Sequence, residues 1–452
     1  MYIQTKPTVI GHNFRNLKSS PMFEQSLQVA VIGAGMTGLL TARELKREGH
    51  RVIVFEKSNR LGGTWVYDPR VETDPLGLDQ SREIVHSNMY RSLRVNLPRR
   101  LMGFLDYPFS QKEGGDPREF PGHEEVLQYL EDFARDFELV ELIWFGHEVV
   151  RVEGVNEVSH EWVIESRTRE SESEVEEEVF EAVVVCNGHH TEPRIADFPG
   201  MDIWPGVQVH SHNYRTPESF QNQIVVIVGN GPSAHDILRE ISSVAKEVHQ
   251  ALGASDVHFK KLENHNNIWQ HSVIKCADED GKVVFQDGSF VYADVIIHCT
   301  GFKYHFPFLR TNGIVSVDDS CVGPLYKHVF PPSIAPWLSF VGLPYRGAPS
   351  LIIELQSRWV AKVLSGKVAL PSEEEMASFV EELYQHMKES GLPKRHTHQL
   401  QQNKFEYENW LVTQLGLPPL EQWREEMYFY ALQKITSHDD DEYRDTWDVI
   451  GG

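Results

Sequence analysis

The sequence predicts an α/β protein that contains two Rossmann-like dinucleotide-binding domains. Two segments predict this fold, because each joins an apolar strand, a glycine-rich turn and a helix with apolar residues at helical spacing. The first is LQVAVIGAGMTGLL at 27–40, and the second is IVVIVGNGPSA at 224–234. A chain of 452 residues that is 40% hydrophobic is long enough for both domains and a buried core.

The first glycine turn has the spacing of a nucleotide site. Gly33 suits a tight turn, Gly35 lets the backbone approach a pyrophosphate at the helix N-terminus, and Gly38 allows close packing of helix on strand. The next strand, RVIVFE, ends at Glu56, whose carboxylate can bind a ribose 2′-hydroxyl. The turn predicts an ADP-containing cofactor, with a purely structural glycine turn as the alternative.

The segment RLGGTW at 60–65 favours FAD over NAD at this first turn. Its paired glycines let the chain pass close to the middle of an extended dinucleotide. We predict cofactor contacts by Arg60, Gly63, Thr64 and Trp65. An ordinary Gly-Gly loop is the alternative.

The second glycine turn predicts a nicotinamide nucleotide site through Gly229, Gly231, Ser233 and Ala234. Ala234 replaces the third glycine, as the fingerprint permits. An unliganded dinucleotide fold is the alternative. Two such sites in one chain imply that reduced nicotinamide gives hydride to flavin.

The strand EVHQALG that follows this turn has Gln250 and Gly253 where an NAD site would place an acid. The absence of a carboxylate favours NADP, whose 2′-phosphate a carboxylate would repel. No Arg stands at this strand end, and Lys260 and Lys261 are the candidates for the phosphate contact.

Composition limits the partners of the chain. The 43 Lys and Arg against 66 Asp and Glu give a net charge of −23, which repels nucleic acid and anionic lipid. We therefore expect small-molecule partners. The acidic runs ESESEVEEE at 170–178 and HDDDE at 438–442 are interpreted as a solvated hairpin or loop and a tail.

The cysteines predict reduced thiols and no disulfide framework. Cys186, Cys276, Cys299 and Cys321 are far apart and form no CxxC pair. No apolar run approaches the length of a membrane span, and the N-terminal segment lacks the apolar region of a signal peptide. We expect a cytoplasmic monomer or homodimer without a membrane anchor or a metal site.

Several further blocks of sequence occur in a fixed order between about residue 27 and about residue 448. They include HSNMYRSLRVNLPR (86–99), VVVCNGHHTEP (183–193), WPGVQVHSHNYR (204–215), DVIIHCTGF (294–302), PLYKHVFPP (324–332), FVGLP (340–344), ELQSRWVA (354–361) and PKRHTH (393–398). With these blocks the chain resembles the class B flavoprotein monooxygenases, and most closely the plant flavin-containing monooxygenases related to glucosinolate S-oxygenases.

The resemblance implies a reaction. In this family NADPH reduces FAD, O2 adds at flavin C4a, and the resulting hydroperoxide passes one oxygen to a soft nucleophile while NADP stays bound. Asn96 matches the family asparagine beside the flavin and the nicotinamide, and we predict that it is the catalytic residue. Read alone, an Asn before Leu-Pro is more typical of a turn.

The resemblance also implies cofactor contacts by Thr300 and Gly301, which follow an apolar strand, and by Gln356, with Arg358 near it. Two buried strands with turns and helix-surface contacts are the alternatives. The stretch at 204–215 matches the fingerprint FxGxxxHxxx[YF] with Trp204 in the Phe position. His210 within it is interpreted as a hinge or packing residue rather than a proton shuttle.

We predict an N-terminal extension at 1–26, an FAD-binding domain formed by 27–203 and 299–452, and an NADPH-binding domain inserted at 204–298. Helices follow residue 365, with SEEEMASFVEELYQHMKES as the clearest amphipathic stretch.

The resemblance implies that the substrate is a small thioether, which the enzyme would oxygenate to a sulfoxide with O2. N-hydroxylation of an amine or amino acid is an alternative, as is an uncoupled NADPH oxidase or a non-catalytic dinucleotide-binding protein. A disulfide reductase would need a redox dithiol, and a Baeyer-Villiger enzyme would need an active-site Arg.

Overall fold

The computed structural model describes residues 26–155, 160–168, 171–253, 259–262, 265–318, 320–436 and 443–447. The predicted extension at 1–26, apart from its last residue, and the acidic run at 438–442 lie outside these residues. The described strands are, in chain order, β1 Gln28–Ile32, β2 Arg51–Glu56, β3 Ile143–Phe145, β4 His147–Gly154, β5 Trp162–Thr168, β6 Ser171–Phe180, β7 Ala182–Val185, β8 Glu192–Pro193, β9 Val207–His210, β10 Ile224–Val228, β11 Glu247–Ala251, β12 Lys260–Lys261, β13 Ile268–His271, β14 Ile274–Ala277, β15 Lys282–Phe285, β16 Phe290–Tyr292, β17 Val295–His298, β18 Phe302–Lys303, β19 Leu309–Arg310, β20 Ser316–Asp318, β21 Cys321–Gly323 and β22 Leu338–Phe340.

Helices alternate with these strands in the first part of the chain and predominate after β22. They are α1 Met36–Arg47, α2 Arg99–Met102, α3 His123–Asp136, α4 Pro232–Ser242, α5 Pro349–Leu364, α6 Glu373–Glu389, α7 Lys404–Gln414 and α8 Gln422–Thr436. Helix α6 confirms the predicted amphipathic helix and begins with a capping box between Ser372 and Glu375. In the described part of the chain, no helix is long and apolar enough to cross a membrane.

The first sheet is parallel and has the strand order β22-β7-β1-β2-β3. On one face, Val29 and Val31 pack with α1 and α5. On the other face, Ala30 and Ile32 pack with the β4-β5-β6 sheet. Because side chains alternate between the two faces of a strand, a strand covered on both sides must be apolar throughout. This explains the unbroken run QVAVI of β1.

The second sheet repeats this plan with the strand order β12-β13-β11-β10-β17-β9, in which only β12 is antiparallel. Val225 and Ile227 of β10 pack with α4, and Val226 packs with the small β14-β15-β16 sheet. In both sheets the chain makes an excursion of three antiparallel strands before it returns to the sheet. Strands β4-β5-β6 come just before β7, which pairs with β1, and strands β14-β15-β16 come just before β17, which pairs with β10. The acidic run at 170–178 lies largely in β6, which pairs antiparallel with β5, so the hairpin interpretation is confirmed.

Helix α4 joins the second sheet to the rest of the chain through two carboxylates. Tyr90 donates a hydrogen bond to Asp236 at 2.8 Å, and Tyr214 donates one to Glu240 at 2.6 Å. Arg444 donates to both oxygens of Asp236 at 2.9 Å. Tyr90 precedes the strands of the second sheet in the sequence and Arg444 follows them. Chain segments before and after this sheet therefore hold the same helix.

The segment 204–215, called the junction below, leads into the second sheet through β9. It contains a close contact between an indole and a glycine. Trp204 is buried, and a Cβ atom on Gly206 would lie 2.1 Å from the Trp204 ring. No side chain larger than hydrogen fits there without displacing the indole.

We expect Gly206→Ala to destabilise the protein by about 1–3 kcal/mol, because the new methyl group overpacks the indole. Urea denaturation followed by tryptophan fluorescence measures this change. Gly154→Ala is the control, since nothing lies within 4 Å of the Cβ position there and neither glycine has a left-handed backbone. Equal unfolding midpoints for the two variants would contradict the role of the contact.

Candidate active site

The first glycine turn brings the ends of three strands together. Gly33 has φ 102°, and its N–H donates to Phe55 O at 2.8 Å. A Cβ on Gly33 would lie 2.7 Å from Cys186 O, and one on Gly38 would lie 1.8 Å from Gly33 O. Glycine is therefore required at both positions, by backbone conformation at Gly33 and by space at both.

Helix α1 begins directly after this turn and presents its N-terminus to the carboxyl edge of the sheet. Its N-cap is Gly35, and no side chain caps its first amides. The free N–H groups and the helix dipole make this end suitable for a phosphate. The second loop predicted to contact the cofactor lies beside it: Gly62 N–H donates to Ala34 O at 2.9 Å, and a Cβ on Gly63 would lie 3.0 Å from Gly35 Cα.

Glu56 is the last residue of β2 and is hydrogen-bonded to the turn itself. Its two carboxylate oxygens accept the N–H groups of Ala34 and Ser58, each at 2.8 Å. Because each carboxylate oxygen has a second lone pair, both can still accept a ribose hydroxyl. Glu56 thus supports the backbone of the predicted nucleotide site as well as facing it.

The other residues of the RLGGTW segment lie further out. Arg60 forms an exposed ion pair with Glu131 at 3.1 Å. Thr64 donates to Asn88 Oδ1 at 2.5 Å, and Trp65 packs half-buried against the core. Their contacts with a cofactor stay predictions.

The second glycine turn has the same construction. Gly229 has φ 137°, and a Cβ there would lie 2.4 Å from Cys299 O. Helix α4 has Gly231 as its N-cap without a side-chain cap and Pro232 in its first turn. Ala234 is buried against the sheet, while Ser233 is exposed in the first helical turn.

Backbone register identifies the position in the second half that corresponds to Glu56. Gly33 N–H bonds to Phe55 O, and Gly229 N–H bonds to Ala251 O at 3.1 Å, so Leu252 corresponds to Glu56. The prediction that Gln250 and Gly253 occupy the acidic position is wrong, because an apolar pattern does not fix a strand end to one residue. The corresponding residue is still not an acid.

Gln250 instead supports the second turn from inside the sheet. It is buried, and its amide donates to Gly229 O at 3.0 Å and accepts a hydrogen bond from Gln270 at 3.0 Å.

Asn96 lies between two fixed pieces of backbone. The segment pairs with the start of α3 through the Arg94–Gly122 bridge and a Val95 N–H bond to Pro121 O at 3.0 Å. The side chain of Asn96 is half-buried and has no hydrogen-bond partner within the described residues. Gly62 also contacts α3, since a Cβ there would lie 2.4 Å from Leu127. Both predicted flavin segments therefore border the same helix.

Gln356 is fully buried behind the first turn. Its Oε1 accepts the N–H of Gly342 at 2.9 Å, and its Nε2 donates to Tyr407 OH at 2.8 Å. Its polar atoms thus position the loop after β22, and a direct cofactor contact stays a prediction. Arg358 pairs with Glu354 at 2.6 Å in an ion cluster between α1 and α5.

His210 is a neutral structural residue at the junction. Its Nδ1 accepts the His212 N–H at 3.1 Å, so Nε2 carries the proton and donates to Gly301 O at 3.0 Å. Burial lowers the pKa of His210 to about 3, with His212 and His298 adding to the effect. This geometry agrees with the packing interpretation. Thr300, beside Gly301, donates through its hydroxyl to Arg194 O.

Desolvation by the surrounding protein lowers the pKa of His86 and that of His190 to about 4, although both side chains keep exposed surface. His190 follows β7 and contacts Phe302, with ring centroids 5.3 Å apart. A hollow of about 480 Å³, lined by Tyr384 and its neighbours, contains none of the predicted site residues.

Sequence reasoning missed a set of buried ionic residues around the junction. Glu72 is fully buried and accepts hydrogen bonds from His212 at 2.9 Å and Arg82 at 2.7 Å. Burial would raise the pKa of Glu72, but these hydrogen bonds outweigh it and lower that pKa. Arg215 donates to five backbone carbonyls. No local pattern marks these residues, because their partners are distant in sequence.

The described residues contain no group of three or more His, Cys, Asp or Glu side chains placed to hold a metal ion.

Comparison with known proteins identifies the family. A family model described as "Flavin-binding monooxygenase-like" matches residues 26–259 and 265–422. The chain belongs to this family. It is 52% identical to flavin-containing monooxygenase FMO GS-OX5 of Arabidopsis thaliana over 94% of this chain and 92% of that protein. It is 52% identical to FMO GS-OX-like 4 of the same plant over 94% and 95%. The predicted resemblance is thereby confirmed.

Solved structures of several other proteins share the fold. The S-allyl-L-cysteine S-oxygenase of Allium sativum matches with a TM-score of 0.91 and 51% identity, covering 94% of this chain and 96% of that one. Tmm from Pelagibacter sp. strain HTCC7211 matches with a TM-score of 0.75 and 25% identity, covering 90% of each chain. Cyclohexanone monooxygenase, at 16% identity and a TM-score of 0.59, shares only the fold. The predicted α/β class with parallel sheets is confirmed.

Proposed function

We propose that this chain is an FAD- and NADPH-dependent monooxygenase that converts a small thioether into its sulfoxide. The observation that carries the proposal is the pair of glycine turns, each of which leads into a helix N-terminus without a side-chain cap. Sulfur is the proposed acceptor because the similar Allium sativum protein is an S-allyl-L-cysteine S-oxygenase. An FAD domain of 27–203 and 299–452 and an NADPH domain of 204–298 belong to the same proposal.

The residues of the first turn fit FAD. Gly33 and Gly38 let the turn and helix α1 pack closely, and Gly35 would let the backbone approach a pyrophosphate at the α1 N-terminus. Glu56 would hold the ribose, and Gly63 would lie along the middle of the dinucleotide. In the second half, Gly229, Gly231, Ser233 and Ala234 would hold the nicotinamide nucleotide at α4. Arg60, Thr64, Trp65, Thr300, Gly301 and Gln356 complete the proposed cofactor-binding set.

The bound cofactors supply the redox chemistry, in which NADPH provides two electrons and O2 is divided between product and water. The balanced reaction is thioether + O2 + NADPH + H⁺ → sulfoxide + NADP⁺ + H2O. The protein needs no nucleophile for this reaction, and its residues hold the reactants and exclude water. Without oxygen transfer, the same electrons reduce O2 to H2O2.

Asn96 is the proposed catalytic residue because its amide has both a donor and an acceptor and no other partner among the described residues. Its backbone is fixed on both sides by the bridge at Arg94 and by α2. A fixed amide of this kind can hold the oxygen that is to be transferred.

We expect Asn96→Ala to purify with flavin but to release more H2O2 for each NADPH oxidised, because the reactive oxygen loses a hydrogen-bond partner. Peroxide and sulfoxide are measured against NADPH consumption. Asn409→Ala is a matched control, since Asn409 is exposed on α7 and is none of the proposed site residues. An unchanged peroxide fraction in Asn96→Ala would contradict the assignment.

The sulfur preference is tested with a panel of thioethers and amines. We expect S-allyl-L-cysteine and methylthioalkyl compounds to gain one oxygen by mass and to consume equal moles of NADPH. Products from amines alone would favour N-hydroxylation. NADPH oxidation without any oxygenated product would identify an oxidase, and no oxidation by NADPH or NADH would favour a non-catalytic protein.

Lys260 is the proposed contact for the 2′-phosphate of NADPH. Lys261 lies over the Trp269 ring at 5.3 Å, on the sheet face opposite α4. Because strand residues alternate, Lys260 is on the same side as α4. Lys260 pairs with Gln270, whose amide bonds to Gln250 beneath the second turn. With Leu252 in place of an acid, no carboxylate at this position repels the phosphate.

We expect Lys260→Ala to weaken binding of 2′,5′-ADP by about 10-fold or more, because a charge-assisted contact is lost. Binding of 5′-AMP should change little. Titration calorimetry on the flavin-containing protein measures both. Lys261→Ala removes the same charge one residue away, so an equal loss in the two variants would show only a general charge effect and contradict the assignment.

A further inference from the structure

We propose that Arg444 is a positioning residue that holds helix α4 against the segment of Asn96. The inference rests on the proposed function and extends it to how the nicotinamide nucleotide is kept in place while oxygen is transferred. Arg444 lies after α8, in the described residues 443–447. Contacts on two sides connect it to the two parts of the proposed site.

The last described residues of the chain pack beside the backbone that carries Asn96. Phe120 is fully buried, and the rings of Tyr443 and Trp447 form T-shaped contacts with it, at centroid distances of 5.5 and 5.0 Å. The carbonyl oxygen of Phe120 accepts a hydrogen bond from the side chain of Arg94 at 2.9 Å. Arg94 is two residues before Asn96 in the chain. The packing around Phe120 therefore supports the Asn96 backbone.

Arg94 connects this packing to Arg444. Its guanidinium donates to the carboxylate of Asp445 at 2.7 Å and to the carbonyl oxygen of Arg444 at 3.2 Å. The backbone of Arg94 pairs with Gly122 in an antiparallel bridge. One arginine thus joins the backbone that leads to Asn96 with the backbone of Arg444.

The side chain of Arg444 extends from there to α4. One terminal nitrogen of its guanidinium donates to both carboxylate oxygens of Asp236 at 2.9 Å, and each of the two side chains is only 15% exposed. The Nε of Arg444 donates to Tyr443 OH at 3.0 Å, which helps to orient the guanidinium. A charge-assisted pair that is largely shielded from water is stronger than an exposed ion pair.

Asp236 connects this pair to the proposed nucleotide site. It is about one turn beyond the N-terminus of α4, where Gly231 is the N-cap and the nicotinamide nucleotide is proposed to bind. Tyr90 also donates to Asp236, at 2.8 Å, so two segments hold the same carboxylate. In the proposed function the nucleotide reaches from this end of α4 to Asn96. Because a ligand that bridges two parts binds more weakly when they are not held together, we expect the pair of Arg444 and Asp236 to support its binding.

A contribution to folding alone is the alternative role for this ion pair. The two roles differ in their effect on ligands of different length. The fragment 2′,5′-ADP occupies only the proposed contacts at α4 and Lys260, whereas NADP⁺ also carries the nicotinamide towards Asn96. A positioning role therefore predicts a loss of affinity for NADP⁺ and none for the fragment, and a folding role predicts the same loss for both.

The test measures binding of NADP⁺ and of 2′,5′-ADP to the flavin-containing protein by titration calorimetry. In Arg444→Gln we expect the Kd of NADP⁺ to rise about 5-fold or more, while the Kd of 2′,5′-ADP stays constant. The share of NADPH oxidation that yields H2O2 should rise as well, because the reactants are held less firmly. Arg444→Lys should retain part of the NADP⁺ affinity, since the charge remains.

Two further variants separate the ion pair from a general charge effect. Asp236→Asn should weaken NADP⁺ binding as Arg444→Gln does, and the double variant should be no weaker than either single one, because all three lose the same interaction. Arg167→Gln is the matched control. It removes an arginine from the exposed ion pair with Glu148 on the β4-β5-β6 sheet, and it should change neither Kd.

An unchanged Kd of NADP⁺ in Arg444→Gln, or an equal rise for NADP⁺ and 2′,5′-ADP, would overturn the inference. Loss of FAD from both Arg444→Gln and Arg444→Lys would show that the pair serves folding, and the inference would again be wrong. If the unmodified protein binds neither NADP⁺ nor 2′,5′-ADP, the proposed nucleotide site itself fails, which is a different outcome from equal affinities in the variants.

Discussion

The close approach of Gly38 to Gly33 is the constraint on which the first half of the molecule depends. Because a Cβ on Gly38 would lie 1.8 Å from Gly33 O, helix α1 can pack at its observed distance only above a bare backbone. Helix α5 then packs on α1, with a hydrogen bond of 3.0 Å between Thr41 and Ser357. From α5, Gln356 accepts the N–H of Gly342, and so fixes the loop that follows β22. The absence of a side chain at Gly38 thus affects the position of Gly342, which is more than 300 residues away in sequence.

Buried charged residues fix the junction between the two sheets. Glu72 and Arg82 are both almost fully buried, and His212 from the junction completes their hydrogen bonds. Arg215 is also buried, and its guanidinium binds backbone carbonyls on three separate segments. Removing one partner from such a group leaves an uncompensated charge, which is costly. These residues therefore favour one arrangement of the junction over others that an apolar contact would tolerate.

The glycine turns could be predicted from the sequence because each requirement is local. Gly33 and Gly229 need left-handed backbone, and the strand and helix beside them follow from apolar periodicity. Other features depend on contacts that no local pattern contains. Only the backbone register shows that Leu252 corresponds to Glu56. Only the packing of α5 against α7 shows that both polar atoms of the Gln356 side chain are hydrogen-bonded. The assignment of Asn96 depended on the family resemblance, since an isolated Asn before Leu-Pro is commonly a turn residue.

Apart from the hairpin at the acidic run 170–178, the antiparallel excursions β4-β6 and β14-β16 were not predicted. Each covers the sheet face that the helices leave open, so their existence is required by the apolar residues on that face. The strand patterns within them are weak, because the exposed face of β6 is acidic and β16 has only three residues.

The hydrogen bonds of His210 have a consequence for how the molecule responds to its surroundings. With both ring nitrogens engaged and a pKa of about 3, this imidazole does not gain a proton anywhere between mildly acidic and alkaline conditions. The hydrogen bond from His210 that links β9 to Gly301 is therefore insensitive to acid. Cellular acidification leaves this connection unchanged, and any dependence of turnover on acidity must originate in the reactants or in groups outside it.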